Sequence, residues 1–258
     1  MQYASLASGS KGNCHALKND NSIFLIDVGI SLLQIQKRLE SIGWDFSKIQ
    51  AVAITHEHGD HIAALEVILR NTSWTILATS KTRDALIKNK NITIPEARWK
   101  STVPNESFEW NLWTITPFTI PHDAADTVAH RISYGGQTIA VITDLGHISK
   151  NVIDHCQGLD GLVVEANHDE TMLLEGGYPE ALKSRIHSNV GHLNNTATGS
   201  LLRQIDQSNL QVVILAHLSE ENNNPDLAKS CVAPMLSNKN IRLLVADQRV
   251  PLAIDLAL

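Results

Sequence analysis

The sequence predicts a layered α/β protein, and three observations carry that expectation. Short apolar runs alternate with amphipathic stretches along the chain. Several of those runs end on an acid or a histidine, as in Ser22 to Asp27, Ile139 to Asp144, Gly161 to Glu165 and Gln211 to His217. No internal repeat, low-complexity tract or linker divides the chain, so a single domain over residues 1–258 is expected.

The elements follow in order. Residues 22–27 read as a buried strand, and 31–42 as a helix carrying Leu32, Leu33, Ile35, Leu39 and Ile42 at helical spacing. Ala51 to Thr55 is a strand that runs into a histidine-rich segment, followed by a helix over 62–70. A strand over 74–78 and a helix over 80–89 come next. Residues 92–120 are rich in Thr, Trp, Val and Ile with Pro punctuation, which predicts antiparallel strands. Strands are expected at 139–144 and 161–165, and helices at 179–188 and at 195–206, the latter capped by Asn195 or Thr196. The chain closes with a strand at 211–216, a helix near 225–237 and strands at 241–246 and 250–256.

Composition narrows the functional classes. Hydrophobic residues are 43% and charged residues 19%, ordinary for a globular chain that buries a core without disulfides. The formal net charge of −6 argues against a nucleic-acid coat or a membrane-surface protein. It leaves a nuclease open, because a local basic rim or metal ions can hold phosphate. Cys14, Cys156 and Cys231 are sparse and irregularly spaced, which points to reduced thiols and a cytoplasmic location. The N-terminus has no basic start and no long apolar run, and no stretch has the length of a membrane span.

Twelve histidines stand out, and four metal-capable residues are placed rather than scattered. In Thr55-His56-Glu57-His58-Gly59-Asp60-His61, three imidazoles and a carboxylate follow directly on a strand. Imidazole and carboxylate suit zinc, manganese or iron. Gly59 is expected to allow the tight turn that lets these side chains converge.

This segment has the His-x-His-x-Asp-His form of the metallo-β-lactamase superfamily. Further segments carry the likeness: Ser8 to Asn13, Asp27-Val-Gly29, Pro121 to Ala124, Thr143 to Gly146, Glu165 to Asp169, Gly191 to Asn195 and Leu215 to Ser219. The chain resembles the YycJ/WalJ-like branch over almost its whole length, near tRNase Z and other phosphodiesterases. The resemblance implies a four-layer αββα fold, two mixed sheets sandwiched between helices, and two divalent metal ions. It implies that His56, His58 and His122 serve the first ion. Asp60, His61 and His217 would serve the second, and Asp144 would bridge both. Taken alone, His122 or His217 would read more simply as a capping or core histidine.

Supporting roles follow from the same likeness. Asp27 is placed to orient a ligand imidazole. Glu165 and His192 resemble the glutamate–histidine pair of tRNase Z, whose histidine helps the leaving oxygen or holds the scissile phosphate; a glutamate hydrogen-bonded to a histidine would keep the imidazole protonated and suited to donate a proton. The segment reads Gly-His-Leu-Asn-Asn where the family pattern has Ser before the last Asn, and Asn194 still offers hydrogen bonds there. His168 and Asp169 are expected to meet substrate or support the site, and Lys11 is either a solvated loop residue or a phosphate contact. His15, His130, His147, His155 and His187 read as structural or surface residues.

Two metals can lower the pKa of a shared water towards neutrality while neutralising substrate oxygens. Asp60 or Asp144 would hold that nucleophile in line, and a phosphodiester suits the arrangement. A phosphodiesterase or exonuclease acting on DNA, RNA or a small phosphodiester is therefore expected. The alternative is an ester, thioester or β-lactam hydrolase on the same scaffold. A metal-retaining regulatory protein without turnover is disfavoured by the full ligand set. The chain has neither a long inserted second domain nor a flexible tRNA-gripping arm. Metal identity, cleavage polarity and oligomeric state stay open, a homodimer among the options.

Overall fold

The computed structural model describes residues 1–256, so the last two positions of the expected 1–258 domain lie outside the described residues. In chain order come β1 (Gln2–Ala7), β2 (Cys14–Lys18), β3 (Ile23–Ile26), α1 (Leu32–Ser41), β4 (Ile49–Ala53), α2 (Gly59–Ile62) and α3 (Leu65–Asn71). Then follow β5 (Thr75–Ala78), α4 (Ser80–Lys90), β6 (Trp99–Ser101), β7 (Phe108–Trp110), β8 (Trp113–Thr119), β9 (Val128–Tyr134) and β10 (Gln137–Ile142). The remainder are α5 (Lys150–His155), β11 (Gly161–Glu165), α6 (Glu170–Glu175), α7 (Glu180–His187), α8 (Asn195–Leu202), β12 (Val212–Ala216), α9 (Pro225–Val232), β13 (Arg242–Val245) and β14 (Leu252–Asp255).

The described residues form two mixed sheets of seven strands, ordered β14-β1-β2-β3-β4-β5-β6 and β13-β12-β11-β10-β9-β8-β7. Each sheet belongs to its own compact unit. The first unit comprises Met1–Glu106, Ala124–Val128 and the chain from Asp247 onward; the second comprises Ser107–Asp123 and Ala129–Ala246.

In the first unit β3, β4, β5 and β6 run parallel, while β14, β1, β2 and β3 pair antiparallel. One face of the sheet, with Leu6, Ile23, Leu25, Val52 and Ile76, packs with Ile35 and Leu39 of α1, Leu65 and Ile68 of α3 and Leu86 of α4. Each such aliphatic side chain contributes roughly 1.5–3 kcal/mol on burial. Ser31 caps α1 by accepting from the Gln34 amide. Thr79 caps α4 in the same way through the Thr82 amide, and Asn91 closes that helix in the left-handed region.

In the second unit β10, β11, β12 and β13 run parallel, and β7–β8 and β9–β10 pair antiparallel. Ile142, Leu162, Val164, Val213 and Leu215 pack with Val152 of α5, Leu201 and Leu202 of α8, and Ala228 and Val232 of α9. Parallel neighbours place their C-terminal ends together, where layered α/β proteins carry chemistry. Among the described residues no helix is long and apolar enough to cross a membrane.

Several expectations are corrected by the structure. The helix expected over 62–70 is two pieces, α2 and α3, and Asp60 and His61 lie inside the first helical turn rather than in a loop. Gly59 does not supply a special turn: it is not in the left-handed region, and a Cβ there would meet nothing within 4 Å. The β1–β2 hairpin escapes sequence reading because buried polar residues, Ser5, Asn13 and His15, break its apolar pattern. Within 92–120, β6 pairs parallel to β5, and only β7 and β8 form an antiparallel hairpin. The cap of α8 is Asn194, accepting from the Ala197 amide, one residue before the expected Asn195. The helices expected to end at 206 and 237 stop at Leu202 and Val232.

Candidate metal-ligand clusters

In the first unit two adjacent parallel strands deliver the ligand segment. β3 ends on Asp27 and β4 leads into Thr55 to His61, and the Asp27 amide donates to the Ala53 carbonyl at 2.8 Å. The rings of His56 and His58 lie with centroids 4.6 Å apart, and those of His56 and His61 4.2 Å apart. Asp27 is fully buried and acts as a clamp. Its Oδ1 accepts from the Thr55 amide at 2.9 Å; its Oδ2 accepts from Thr55 Oγ1 at 2.8 Å and from His61 Nδ1 at 2.7 Å. Burial pushes the Asp27 carboxyl up, and the His61 charge and these hydrogen bonds pull against that shift without cancelling it. Having donated to Asp27, Thr55 Oγ1 accepts from His56 Nδ1 at 2.9 Å.

Two neighbouring residues hold this turn. Asn13 Nδ2 lies 3.1 Å from His61 Nε2 and 3.3 Å from Asp60 Oδ2, and its amide donates to the Asp60 carbonyl at 2.8 Å. Gly29 passes so close that an added Cβ would collide with the Asp60 carbonyl oxygen. Gly29→Ala is expected to destabilise the protein by roughly 1–3 kcal/mol, read as a lower urea midpoint at unchanged slope. A midpoint equal to wild type would show that this approach is not tight.

In the second unit three adjacent parallel strands end on chemistry: β10 leads to Asp144, β11 ends on Glu165 and β12 leads to His217. Asp144, Glu165, His192 and His217 each offer a ligand atom, and these atoms lie within 4.8 Å of one another. Glu165 is fully buried, and its Oε1 accepts from both His192 Nδ1 and His217 Nδ1, each at 2.8 Å. Its Oε2 accepts from the amides of Leu145 at 2.7 Å and Leu193 at 3.1 Å. Burial raises the Glu165 carboxyl, but the charge and hydrogen bond of His192 and the bond from His217 outweigh it and hold the group at about 2. His192 is shifted the other way: burial lowers its pKa, while the Glu165 charge and hydrogen bond and the Asp144 charge raise it to a net increase. His122 follows β8; its Nδ1 donates to the Gly191 carbonyl at 3.1 Å and its Nε2 lies 3.8 Å from Asp144 Oδ1. Burial lowers the His122 pKa, which favours the neutral, ligating imidazole.

The donor chemistry fits divalent metal ions. His56, His61, His122 and His217 each engage Nδ1 with a hydroxyl, carboxylate or carbonyl oxygen, which assigns Nε2 as the lone-pair nitrogen. Such oxygen partners orient metal-binding imidazoles and raise their basicity. Asp27→Ala is accordingly expected to weaken metal affinity roughly 10–100-fold, measured as metal content after dialysis against graded chelator. Unchanged retention would remove the orienting role.

The other singled-out residues have partners of their own. Asp169 caps α6 by accepting from the Met172 amide at 3.0 Å, which makes it a loop-shaping residue. His168 is buried, with Nδ1 3.3 Å from Asn167 Oδ1, and burial pushes its pKa down to about 4. His15 and His130 are buried, His155 is half-buried, and His147, His187 and Lys11 are exposed. Sequence reasoning assigned no role to Asn13, Thr55 or Glu57. Their signal was present only as membership of the quoted segments, because each acts through tertiary contact rather than through its own ligand chemistry.

Comparison with known proteins agrees with this reading. A family model described as a beta-lactamase superfamily domain matches residues 23–218. An exodeoxyribonuclease WalJ of Streptococcus pneumoniae is 30% identical over 242 residues, covering 93% of this chain and 90% of the relative. The metallo-beta-lactamase fold protein YhfI of Bacillus subtilis superposes with a TM-score of 0.73 at 17% identity, covering 98% of this chain and 99% of that one. Zinc-bound PqqB of Methylobacterium extorquens gives a TM-score of 0.72 at 18% identity, covering 99% and 100%. The expected αββα fold class is the one these structures share. With the matched model, the relative and the His/Asp clusters in hand, the chain belongs to the metallo-β-lactamase superfamily, in its YycJ/WalJ-like branch.

Proposed function

We propose that this chain is a metal-dependent phosphodiesterase acting as an exonuclease, with DNA favoured over RNA by its similarity to a relative named as an exodeoxyribonuclease. Residues 1–258 act in this reading as one catalytic domain. In this reading the chain would hold two divalent ions. His56, His58 and His122 bind one, Asp60, His61 and His217 bind the other, and Asp144 serves both. Zinc and manganese suit the donors, and iron also fits. Three thiols without a disulfide, Cys14 and Cys156 among them buried, favour a cytoplasmic setting.

The observation that carries the reading is the Glu165–His192 pair. A carboxylate 2.8 Å from Nδ1 favours the imidazolium, and with Nδ1 so engaged the proton available for transfer sits on Nε2. An alkoxide leaving group needs that proton, whereas thioester and β-lactam cleavage depend on it less. Glu165 does two things at once, since the same oxygen also orients His217. Asp60 or Asp144 would align an attacking water. Bound divalent ions would supply charge neutralisation at the phosphoryl oxygens and a water ionised near neutral pH.

The test is a substrate panel on metal-reconstituted protein: single-stranded DNA, single-stranded RNA, bis(p-nitrophenyl) phosphate and nitrocefin, each with zinc and with manganese. Phosphodiester turnover that disappears with chelator and returns with metal is expected. Nitrocefin hydrolysis without phosphodiester cleavage would overturn the proposal.

A further inference from the structure

A cavity of about 330 Å³ opens in the first unit, lined by Lys81, Asp84, Ala85, Lys88, Asn89 and Ala125. Five of these lie on one face of α4 at positions i, i+3, i+4, i+7 and i+8. Ala85 is buried, and its small side chain leaves the cavity open between Lys81 and Lys88, which are exposed. Those two lysines stand two turns apart, about 10 Å along the helix axis. Two cations and the Asn89 amide line it beside one carboxylate, Asp84, and Asp126 lies next to Lys81 just outside the lining.

Helix chemistry does not explain both lysines. Lys88 is in the last turn, where the helix dipole favours a cation. Lys81 is in the first turn, which contains no acid and where the dipole disfavours a cation. Its partner is Asp126 at 3.6 Å, an ion pair in which the lysine is exposed and the aspartate mostly buried.

The remaining wall connects the cavity to the ligand segment. Ala125 belongs to the short stretch that follows His122 in sequence. Its amide donates to Glu57 Oε1 at 3.0 Å, and Glu57 is buried between His56 and His58 in the chain. The same stretch is tied down at both sides: Thr82 Oγ1 of α4 donates to the Asp126 carbonyl at 3.3 Å, and the Val128 amide donates to the Thr55 carbonyl at 3.2 Å. A continuous hydrogen-bonded path therefore runs from the ligand turn, through residues 124–128, to the face of α4.

We propose that the cavity formed by Lys81, Lys88, Asn89 and Ala125 is a subsite for the sugar-phosphate backbone of a single strand whose end is being cleaved. It deepens the phosphodiesterase reading and rests on it for the identity of the substrate. The lysines neutralise backbone phosphates away from the scissile bond, and the tethered 124–128 stretch fixes where the strand leaves the ligand turn. Non-specific contact of this kind is electrostatic, sequence-independent and salt-dependent. A small diester does not extend into the cavity, so polymer and small substrate must respond differently.

The experiment compares metal-reconstituted wild type with Lys81→Glu/Lys88→Glu, both sites being exposed. KM is measured for a single-stranded oligodeoxynucleotide and for bis(p-nitrophenyl) phosphate. Kd for a phosphorothioate oligodeoxynucleotide is measured by anisotropy across a salt series. The expected result is a rise of tenfold or more in oligonucleotide KM and Kd, with the diester KM within twofold of wild type. The salt slope should become shallower by about 1.4 for two lost phosphate contacts. Equal oligonucleotide KM, Kd and salt slope in the two proteins would overturn the subsite. So would a parallel rise for the diester. Should wild type bind the oligonucleotide without cleaving it, the exonuclease reading falls while the Kd difference still decides the subsite. An oligonucleotide that wild type does not bind overturns it.

Discussion

Asp144→Asn is expected to reduce phosphodiester turnover by three powers of ten or more, because in the proposed reading Asp144 serves both divalent ions and its loss would remove several kcal/mol of charge stabilisation. The substitution is chosen for its backbone. Asp144 sits at φ 57, and asparagine is among the few residues that tolerate the left-handed region. A well-folded protein with depleted metal is therefore the expected product, seen as an unchanged circular dichroism spectrum beside a lowered metal-to-protein ratio. His58→Ala should behave alike, since His58 is half-buried and its removal leaves no large cavity. Full metal content and full turnover in either variant would remove that residue from the ligand set.

His192→Ala has the second largest expected effect, and its signature differs. Metal content should stay at the wild-type value, while turnover of a DNA phosphodiester falls roughly 10²–10⁴-fold, the usual contribution of a positioned acid. Bis(p-nitrophenyl) phosphate should lose much less, because p-nitrophenolate departs without a proton. The pH profile supplies a further check. The Glu165 and Asp144 carboxylates raise the His192 pKa above its ordinary 6.5 despite burial. The acid form is thus complete below that ordinary value and is lost as pH rises through the elevated one. Wild-type activity on DNA should fall on the alkaline side, and the variant should lack that limb. Equal losses on both substrates would assign His192 a structural role instead.

The legible part of this molecule is the part written in rare chemistry. Three imidazoles and a carboxylate directly after a strand make His56 to His61 legible by residue type and spacing, whereas His122, Asp144 and His217 are singled out only through the family resemblance, because a lone histidine at a strand end reads as a cap or core residue. Glu165 is legible as a partner of His192, but its second bond, to His217, is a tertiary fact carried by the adjacency of β11 and β12. Asn13 and Glu57 were hidden for the same reason: an ordinary amide and an ordinary carboxylate gain meaning only from the backbone that meets them. Two of the elements that slipped did so where buried polar or metal-capable residues break the local pattern. The histidine segment conceals the start of α2, and buried Ser5, Asn13 and His15 conceal the β1–β2 hairpin.

Asp27, Asp144 and His217 share one backbone property, φ values of 60, 57 and 55 at the first residue beyond a strand or within two residues of its end. An L-residue with a Cβ is strained there by roughly 1–2 kcal/mol, and glycine is not. These three positions therefore set heritable stability against chemistry. A glycine at any of them would relieve that local strain and remove the side chain's chemistry, and at Asp27 it would also leave the buried Thr55 and His61 donors without their acceptor. In a lineage released from the need to cleave its substrate, Asp144 is the position of the three where relief of backbone strain would favour glycine, so a relative carrying glycine there is the expected fossil of a retired enzyme.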